Sequence, residues 1–439
     1  MTTPEDTIMA KPPVIVTYSR LREEFNKAGH ERLVDAFKAP APDGFEAAEP
    51  PPTDQEAAEA MEQLSKAMKA MEDAEHVPGI LAAPDDGFAS VLQSVLAKRS
   101  AEINKTGPAA AGALEAQFDE HDVLGWARSL LTWFKGLKPH QWQTAPASAD
   151  VIPNTSRIAV LGDWGSGLYG APVCASSIQN DAKDYQVLLH LGDVYYSGTN
   201  DEIKDRFLGL WPKKPKAISR ACNANHEMYT GGYGYFDLIL KQFNQPASYF
   251  ALQNDHWLLT GLDSAYKEWE LVNDQVAWLT NLIASAGDRR VVLFSHHQLF
   301  SWADKAQTKM QSQLAALLNS KRIFAWYWGH EHRCVIYDEH PAWDILGRCI
   351  GHSGYPYFRD KFKEGTVGSM GPQGTSWRTV NPKNMVPGAL ILEGPNPYIP
   401  GHTDEYGPQG YLSLELDGEH LKEIVHLPDS TMIYEKQLI

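Results

Sequence analysis

Six times between residues 157 and 328, this chain builds a short β-rich apolar run and then stops it on or beside Gly, Asp, Asn or His. The runs are Arg157 to Leu161, Val187 to Leu191, Ala217 to Ala221, Trp257 to Leu262, Val291 to Ser295 and Ile323 to Trp328. Helical or mixed stretches lie between several of them, and that alternation predicts an α/β core. Asp163, Asp193 and Asn225 follow one another at about thirty residues, roughly what a strand, a crossover helix and a second strand consume. Such residues return to one edge of one sheet, where open α/β sheets place their sites. Tyr411 to Leu416, then Asp417-Gly418, then Lys422 to His426 reads as a hairpin closing a sheet.

Polar side chains sit just past those runs in a fixed order: Gly162-Asp163-Trp164-Gly165, Gly192-Asp193-Val194-Tyr195-Tyr196, Asn225-His226-Glu227, Ser295-His296-His297 and Gly329-His330-Glu331-His332. A lone Gly-Asp after a strand is more often a turn or a helix cap than a ligand. Five such segments in register are not explained that way. Together they supply carboxylate, phenolate, amide and imidazole donors, enough for two adjacent cations and a phosphate ester between them.

Competing motifs fail on context. Gly165 to Gly170 satisfies G-x-G-x-x-G, but Pro172 is expected to interrupt the helix that a dinucleotide site needs there. The Gly-rich stretch Thr230 to Tyr235 lacks the Lys of a P-loop. Neither His226-Glu227 nor His330-Glu331 extends to H-E-x-x-H, and no nucleophile elbow surrounds Ser295.

The set Asp-x-Gly, Gly-Asp-x-x-Tyr, Asn-His-Glu, apolar-x-x-His and Gly-His-x-His, over roughly Ser156 to Arg333, resembles the calcineurin-like metallophosphoesterase superfamily and within it the purple acid phosphatases. Gly165 stands where ordinary members have a His, and Tyr196 offers the replacement ligand. The resemblance implies a two-sheet α/β/β/α sandwich. It also implies one metal on Asp163, Tyr196 and His332 and a second on Asn225, His296 and His330, with Asp193 between them. The phenolate suits Fe(III) at the first position, and the Asn/His set suits Fe(II), Zn(II) or Mn(II) at the second. By the same resemblance a bridging hydroxide attacks phosphorus, His226 assists the leaving oxygen, and Glu227 orients that imidazole or a water. Ala224 and Leu293 depart from the usual Gly and Val. Adjacent Tyr195 and His297 leave a one-residue choice at two ligands, and His297 is expected either to touch substrate or to face solvent. Lys305, His352 and Arg348 are candidate phosphate contacts, the last two opening an irregular stretch to Lys383 that would overhang the site.

Bulk composition bounds the rest. Of 439 residues, 39 are Lys or Arg and 55 Asp or Glu, so the net charge of -16 argues against a nucleic-acid surface. Cys174, Cys222, Cys334 and Cys349 show no paired spacing and are expected as buried thiols. No leader or membrane-length apolar run is visible, so the expectation is cytoplasmic, a mature secreted form being equally compatible. Oligomeric state is not legible. Residues 1–150 are Ala-, Glu-, Lys- and Met-rich and predict a separate helical region, with helices over Ser19 to Phe37, Gln55 to Ala74, Phe88 to Ile103 and Leu114 to Leu137. A Met61, Leu64, Met68, Met71 stripe should pack within it. Residues 151–439 form the expected catalytic domain, a phosphomonoesterase acting on a small phosphorylated substrate. The alternatives are a phosphodiesterase for nucleotides or lipid head groups, or a non-catalytic scaffold that binds through its helices.

Overall fold

The structure is a computed structural model that describes residues 54–74, 87, 89–93 and 138–439 apart from 268, 303, 305 and 360–362. It divides into two compact units, Met1–Leu137 and Lys138–Ile439. In the first, helix α1 (Asp54–Ala74) buries Leu64, Ala67 and Met68, a stripe at helical spacing. Residues 89–93 are helical and buried. The helices expected over Ser19 to Phe37 and Leu114 to Leu137, the end of the one begun at Phe88, and the side chains of Met61 and Met71 lie outside the described residues.

The second unit starts at Lys138, a dozen residues before the first strand, because its leading segment is already packed. His140 stacks on Phe236 at 4.7 Å, Trp142 on Tyr249 at 5.3 Å, and Ala145 is a core residue. Among the described residues sixteen strands follow in two sheets. The smaller has the order β16 (Met432–Gln437), β15 (His420–His426), β14 (Tyr411–Asp417), β2 (Thr155–Leu161), β3 (Val187–His190), β4 (Ile218–Ala221). Strands β2, β3 and β4 run parallel, while β14 to β16 join them antiparallel through the expected hairpin. The larger sheet runs β1 (Asp150–Val151), β5 (Phe250–Gln253), β6 (Trp257–Gly261), β7 (Arg290–Ser295), β8 (Ile323–Trp328), β10 (Leu346–Ile350), β9 (Cys334–Glu339), β13 (Ala389–Glu393), β12 (Ser376–Val380), β11 (Thr366–Val367). Here β6, β7, β8 and β10 are parallel neighbours.

Period-two alternation sorts each strand between two faces. Ile158 and Val160 of β2 meet Phe294 of β7 and Tyr327 of β8 between the sheets, whereas Ala159 and Leu161 face outward against Ala175 and Ile178 of helix α2 (Gly170–Asn180). On the other side, Leu293 and Trp326 face outward toward Leu279 and Leu282 of the later helix Gln275–Ser285. The result is the four-layer α/β/β/α sandwich. The expectation that Pro172 interrupts the helix after the Gly165 to Gly170 loop is overturned, since α2 begins at Gly170 and runs through Pro172. Proline in the first turn removes only an N–H that the helix leaves unused, so it does not interrupt. The dinucleotide reading fails instead because Gly165 is bridged to Val194 and Asp163 is engaged elsewhere.

Arg348 is the clearest departure from expectation. It lies on β10 rather than in a loop, on the face turned toward the other sheet, and is fully buried. Its guanidinium grips the Glu423 carboxylate of β15 through Nε and Nη2 at 2.8 to 3.0 Å and donates to the Tyr337 carbonyl at 2.7 Å. Tyr327 and Tyr434 hydroxyls complete the carboxylate's shell at 3.2 and 3.3 Å. It is a clasp between sheets with no path to a phosphate. All four cysteines are buried and free.

Candidate metal centre

Both sheets end their parallel strands at one place. Asp163 follows β2, Asp193 follows β3, Asn225 opens a short helix after β4, His296 follows β7, and His330 and His332 follow β8. Asp163, Asp193, His330 and His332 have φ of 54°, 72°, 68° and 53°. A left-handed residue turns the chain sharply off the strand, and Asp and His tolerate that conformation better than β-branched residues do. The glycines preceding two of them are steric requirements. A Cβ at Gly329 would stand 2.6 Å from Asp163 Oδ2, and one at Gly192, whose φ is 102°, would meet the Ala224 side chain at 2.5 Å.

Donor atoms converge where the two sheets meet. His296 is fully buried and donates Nδ1–H to the Leu191 carbonyl at 2.9 Å. Burial pushes its pKa down to about 3, so the ring carries a single proton and Nε2 presents a bare lone pair. That lone pair faces Asp193 Oδ1 at 3.3 Å, Asn225 Oδ1 at 2.9 Å and His330 Nδ1 at 3.2 Å. Asn225 is oriented by donating Nδ2–H to Tyr229. On the other side, His332 Nε2 lies 3.6 Å from Asp163 Oδ1 and 3.9 Å from Asp193 Oδ2. The His330 backbone N–H donates to both Asp163 oxygens at 3.0 and 2.9 Å. Asp193 thus stands between two donor groups.

The arrangement fits cations. Asp193 Oδ1, Glu227 Oε1 and His297 Nε2 are buried without a hydrogen-bond partner, as electron-pair donors that a cation would satisfy. Two sets already have their ligand atoms within 4.8 Å of one another: Asp163, Asp193 and His296, and His296, His297 and His330. Burial, reinforced by the Asp193 charge, raises the Asp163 and Glu227 carboxyls well above the ordinary range. A divalent ion reverses that preference. Hard oxygen and imidazole donors suit iron, zinc or manganese.

Other expected residues take specific places. The hydroxyl of Tyr195, not of Tyr196, enters the cluster, 2.9 Å from Asp193 Oδ2 and 2.6 Å from His332 Nε2. Tyr196 turns its ring under the Arg206 guanidinium at 5.7 Å. His297 is buried rather than solvent-facing, held by Ser264 Oγ at 3.0 Å on Nδ1, with its ring 4.7 Å from that of His330. The His226 ring lies tilted against that of Tyr195, centroids 3.9 Å apart, and its Nδ1–H donates to the Tyr196 carbonyl at 2.6 Å. Glu227 accepts the Asp193 backbone N–H at 3.2 Å, so it braces the turn that carries Asp193. His352 is fully buried with both ring nitrogens unpartnered, so it is not positioned as an exposed phosphate contact. Lys305 lies outside the described residues. The loop after β10 nevertheless reaches the site through residues the sequence did not flag. Gly354 and Tyr355 donate backbone N–H to the Asp163 carbonyl at 3.1 and 3.0 Å, and the Tyr355 ring lies 4.0 Å from His332.

Known proteins similar to this chain fall in one group. Residues 156–334 match the calcineurin-like phosphoesterase family model. Tartrate-resistant acid phosphatase type 5 of Rattus norvegicus is 25% identical over 245 residues, covering 46% of this chain and 73% of that protein. The Sus scrofa protein of the same name is 22% identical over 220 residues, covering 40% of this chain and 64% of that protein. Purple acid phosphatase PPD1 from yellow lupin (Lupinus luteus) seeds aligns with a TM-score of 0.47 and 12% identity over 67% of this chain and 55% of its own. Over residues 156–334, then, the chain carries a segment matching the calcineurin-like phosphoesterase model, a phosphoester-hydrolase domain, and tartrate-resistant acid phosphatases are among the proteins it is similar to.

Proposed function

We propose that the chain hydrolyses phosphate monoesters at a two-cation centre of the purple acid phosphatase kind. The observation that carries this reading is the His296 Nε2 directed at Asp193 Oδ1, Asn225 Oδ1 and His330 Nδ1, a convergence of oxygen and nitrogen donors that a cation would satisfy together. Asn225, His296 and His330, with His297 adjacent, would hold one ion; Asp163, His332 and Tyr195 the other; Asp193 would serve both. Cations so placed lower the pKa of water and neutralise charge on phosphoryl oxygens. The protein's own residues do the remainder. Glu227 fixes the Asp193 backbone, and the loop at Gly354 and Tyr355 fixes that of Asp163. His226, placed by the contact of its Nδ1 with the Tyr196 carbonyl at 2.6 Å, would in its protonated form assist the departing oxygen as a general acid. Tyr195 and Tyr229 flank its ring at 3.9 and 4.8 Å and limit water on that side.

A visible spectrum with metal analysis of the purified protein is the direct test. A tyrosinate on ferric iron absorbs in the visible, and two ions per chain should accompany activity on p-nitrophenyl phosphate. A colourless, iron-free but active protein would leave the ester hydrolysis and remove the purple-type metal pair. Faster turnover of the bis(p-nitrophenyl) ester than of the monoester would overturn the substrate choice.

A further inference from the structure

We propose that Asp304 is a positioning residue for His330, accepting the proton on the ring nitrogen that faces away from the metal centre. The inference rests on the two-cation reading. His330 directs Nδ1 at the bare Nε2 of His296, 3.2 Å away, so a cation shared there requires Nδ1 to be unprotonated as well. With Nδ1 given to a cation, the ring proton of His330 belongs on Nε2. That atom lies 3.7 Å from Asp304 Oδ2, within the range of an ion pair and slightly longer than a hydrogen bond. A carboxylate on the outer nitrogen fixes the tautomer, aims the ring and raises the basicity of the ligating nitrogen.

Asp304 is itself held for that task. Gln298 Nε2 donates to the same Oδ2 at 3.2 Å, and the Asp304 backbone N–H donates to Ser301 Oγ at 2.8 Å. Ser301 Oγ donates to Glu331 Oε2 at 2.5 Å, and Glu331 Oε1 accepts from Trp328 Nε1 at 2.8 Å. Trp328 ends β8, and Glu331 sits between His330 and His332. The carboxylate is therefore tied to the strand end that delivers the imidazole. In the sequence, the cation next door at Lys305 drew the eye as a phosphate contact. Asp304 has the opposite charge and a different partner.

The test uses the full-length protein, stripped of metal and titrated with Zn(II) against a competing chelator. In Asp304→Ala, one of the two zinc ions should bind roughly 10- to 100-fold more weakly while the other keeps its affinity. Asp304→Asn, which keeps an acceptor without the charge, should fall between Ala and wild type. The metal-free melting temperature should be unchanged in both. Wild-type affinity for both ions in Asp304→Ala overturns the proposal, as does an equal loss at both ions with a lowered metal-free melting temperature, which marks general packing. A wild-type protein that takes up fewer than two zinc ions instead refutes the underlying two-cation reading.

Discussion

Two places in the sandwich bury charge, and they resolve it in opposite ways. Between the sheets, Arg348 and Glu423 neutralise one another through paired contacts, with two tyrosine hydroxyls and a carbonyl filling the remaining valences. At the strand ends, Asp163, Asp193 and Glu227 crowd against imidazoles whose lone pairs point inward, and buried acceptors are left without donors. The first arrangement is complete without any further group. The second is left with acceptors that bound cations would satisfy. Buried charge alone therefore does not mark a site; an excess of acceptors over protons does.

That contrast can be broken at either end, and the largest effect is expected at the metal centre. Asp193→Ala removes the carboxylate common to both donor sets, and turnover should fall by about 10³-fold or more. The metal-free melting temperature should hold or rise, because one of three crowded carboxylates has gone. A variant that keeps wild-type turnover would favour a scaffold whose chemistry is secondary. Next comes the clasp. Arg348→Met alone leaves Glu423 buried and unpaired, at a cost of about 3–5 kcal/mol by denaturant unfolding, with KM unchanged in the folded fraction. Adding Glu423→Leu should recover most of that loss. An Arg348 variant that raised KM while keeping stability would restore the arginine as a phosphate contact.

A smaller effect distinguishes the neighbouring tyrosines. Tyr195→Phe should shift or remove visible absorption in the iron-loaded protein and reduce activity by roughly 10- to 100-fold through loss of a ligand-shell hydroxyl. Tyr196→Phe should do neither, and the reverse result would move the phenolate by one residue. The smallest effect at neutral pH belongs to His352. Burial alone depresses its pKa to about 3 from an ordinary 6.5. The unfolded chain therefore takes up the proton first, so this group's contribution is present above pH 6.5 and is lost as pH falls toward 3, at up to about 1.4 kcal/mol per pH unit. His352→Leu should flatten that acid limb of the stability curve while changing stability little at pH 8. An unchanged slope would mean that His352 finds a proton partner in the fold.

Much of this was legible because strand ends and ligand types are written in the same few residues. The run Ile323 to Trp328 is the observed β8, and Gly-His-x-His follows because Gly329 must clear Asp163 and the histidines must turn left-handed. Spacing of about thirty residues placed Asp163, Asp193 and Asn225 on one sheet edge. It could not show that His296 and His330 arrive from the other sheet, which depends on how two cores pack. Tyr195 and Tyr196 were inseparable, since adjacent residues of one type differ only in which way the turn throws them. Arg348 was misread because Gly and Pro around it suggested a loop, whereas its burial follows from alternation along β10 and from a partner 75 residues away. Asp304 and Tyr355 gave no signal, their roles being set by tertiary contact alone.

The four left-handed ligand residues carry an evolutionary implication. Asp163, Asp193, His330 and His332 each occupy a backbone conformation that glycine adopts more freely, at a cost on the order of 1 kcal/mol apiece. Glycine at any of them would relax the chain while deleting a donor. A selection that rewarded heat resistance in the absence of metal would therefore erode this centre first and leave the clasp between the sheets intact. Descendants of such a selection would keep the sandwich and lose its chemistry.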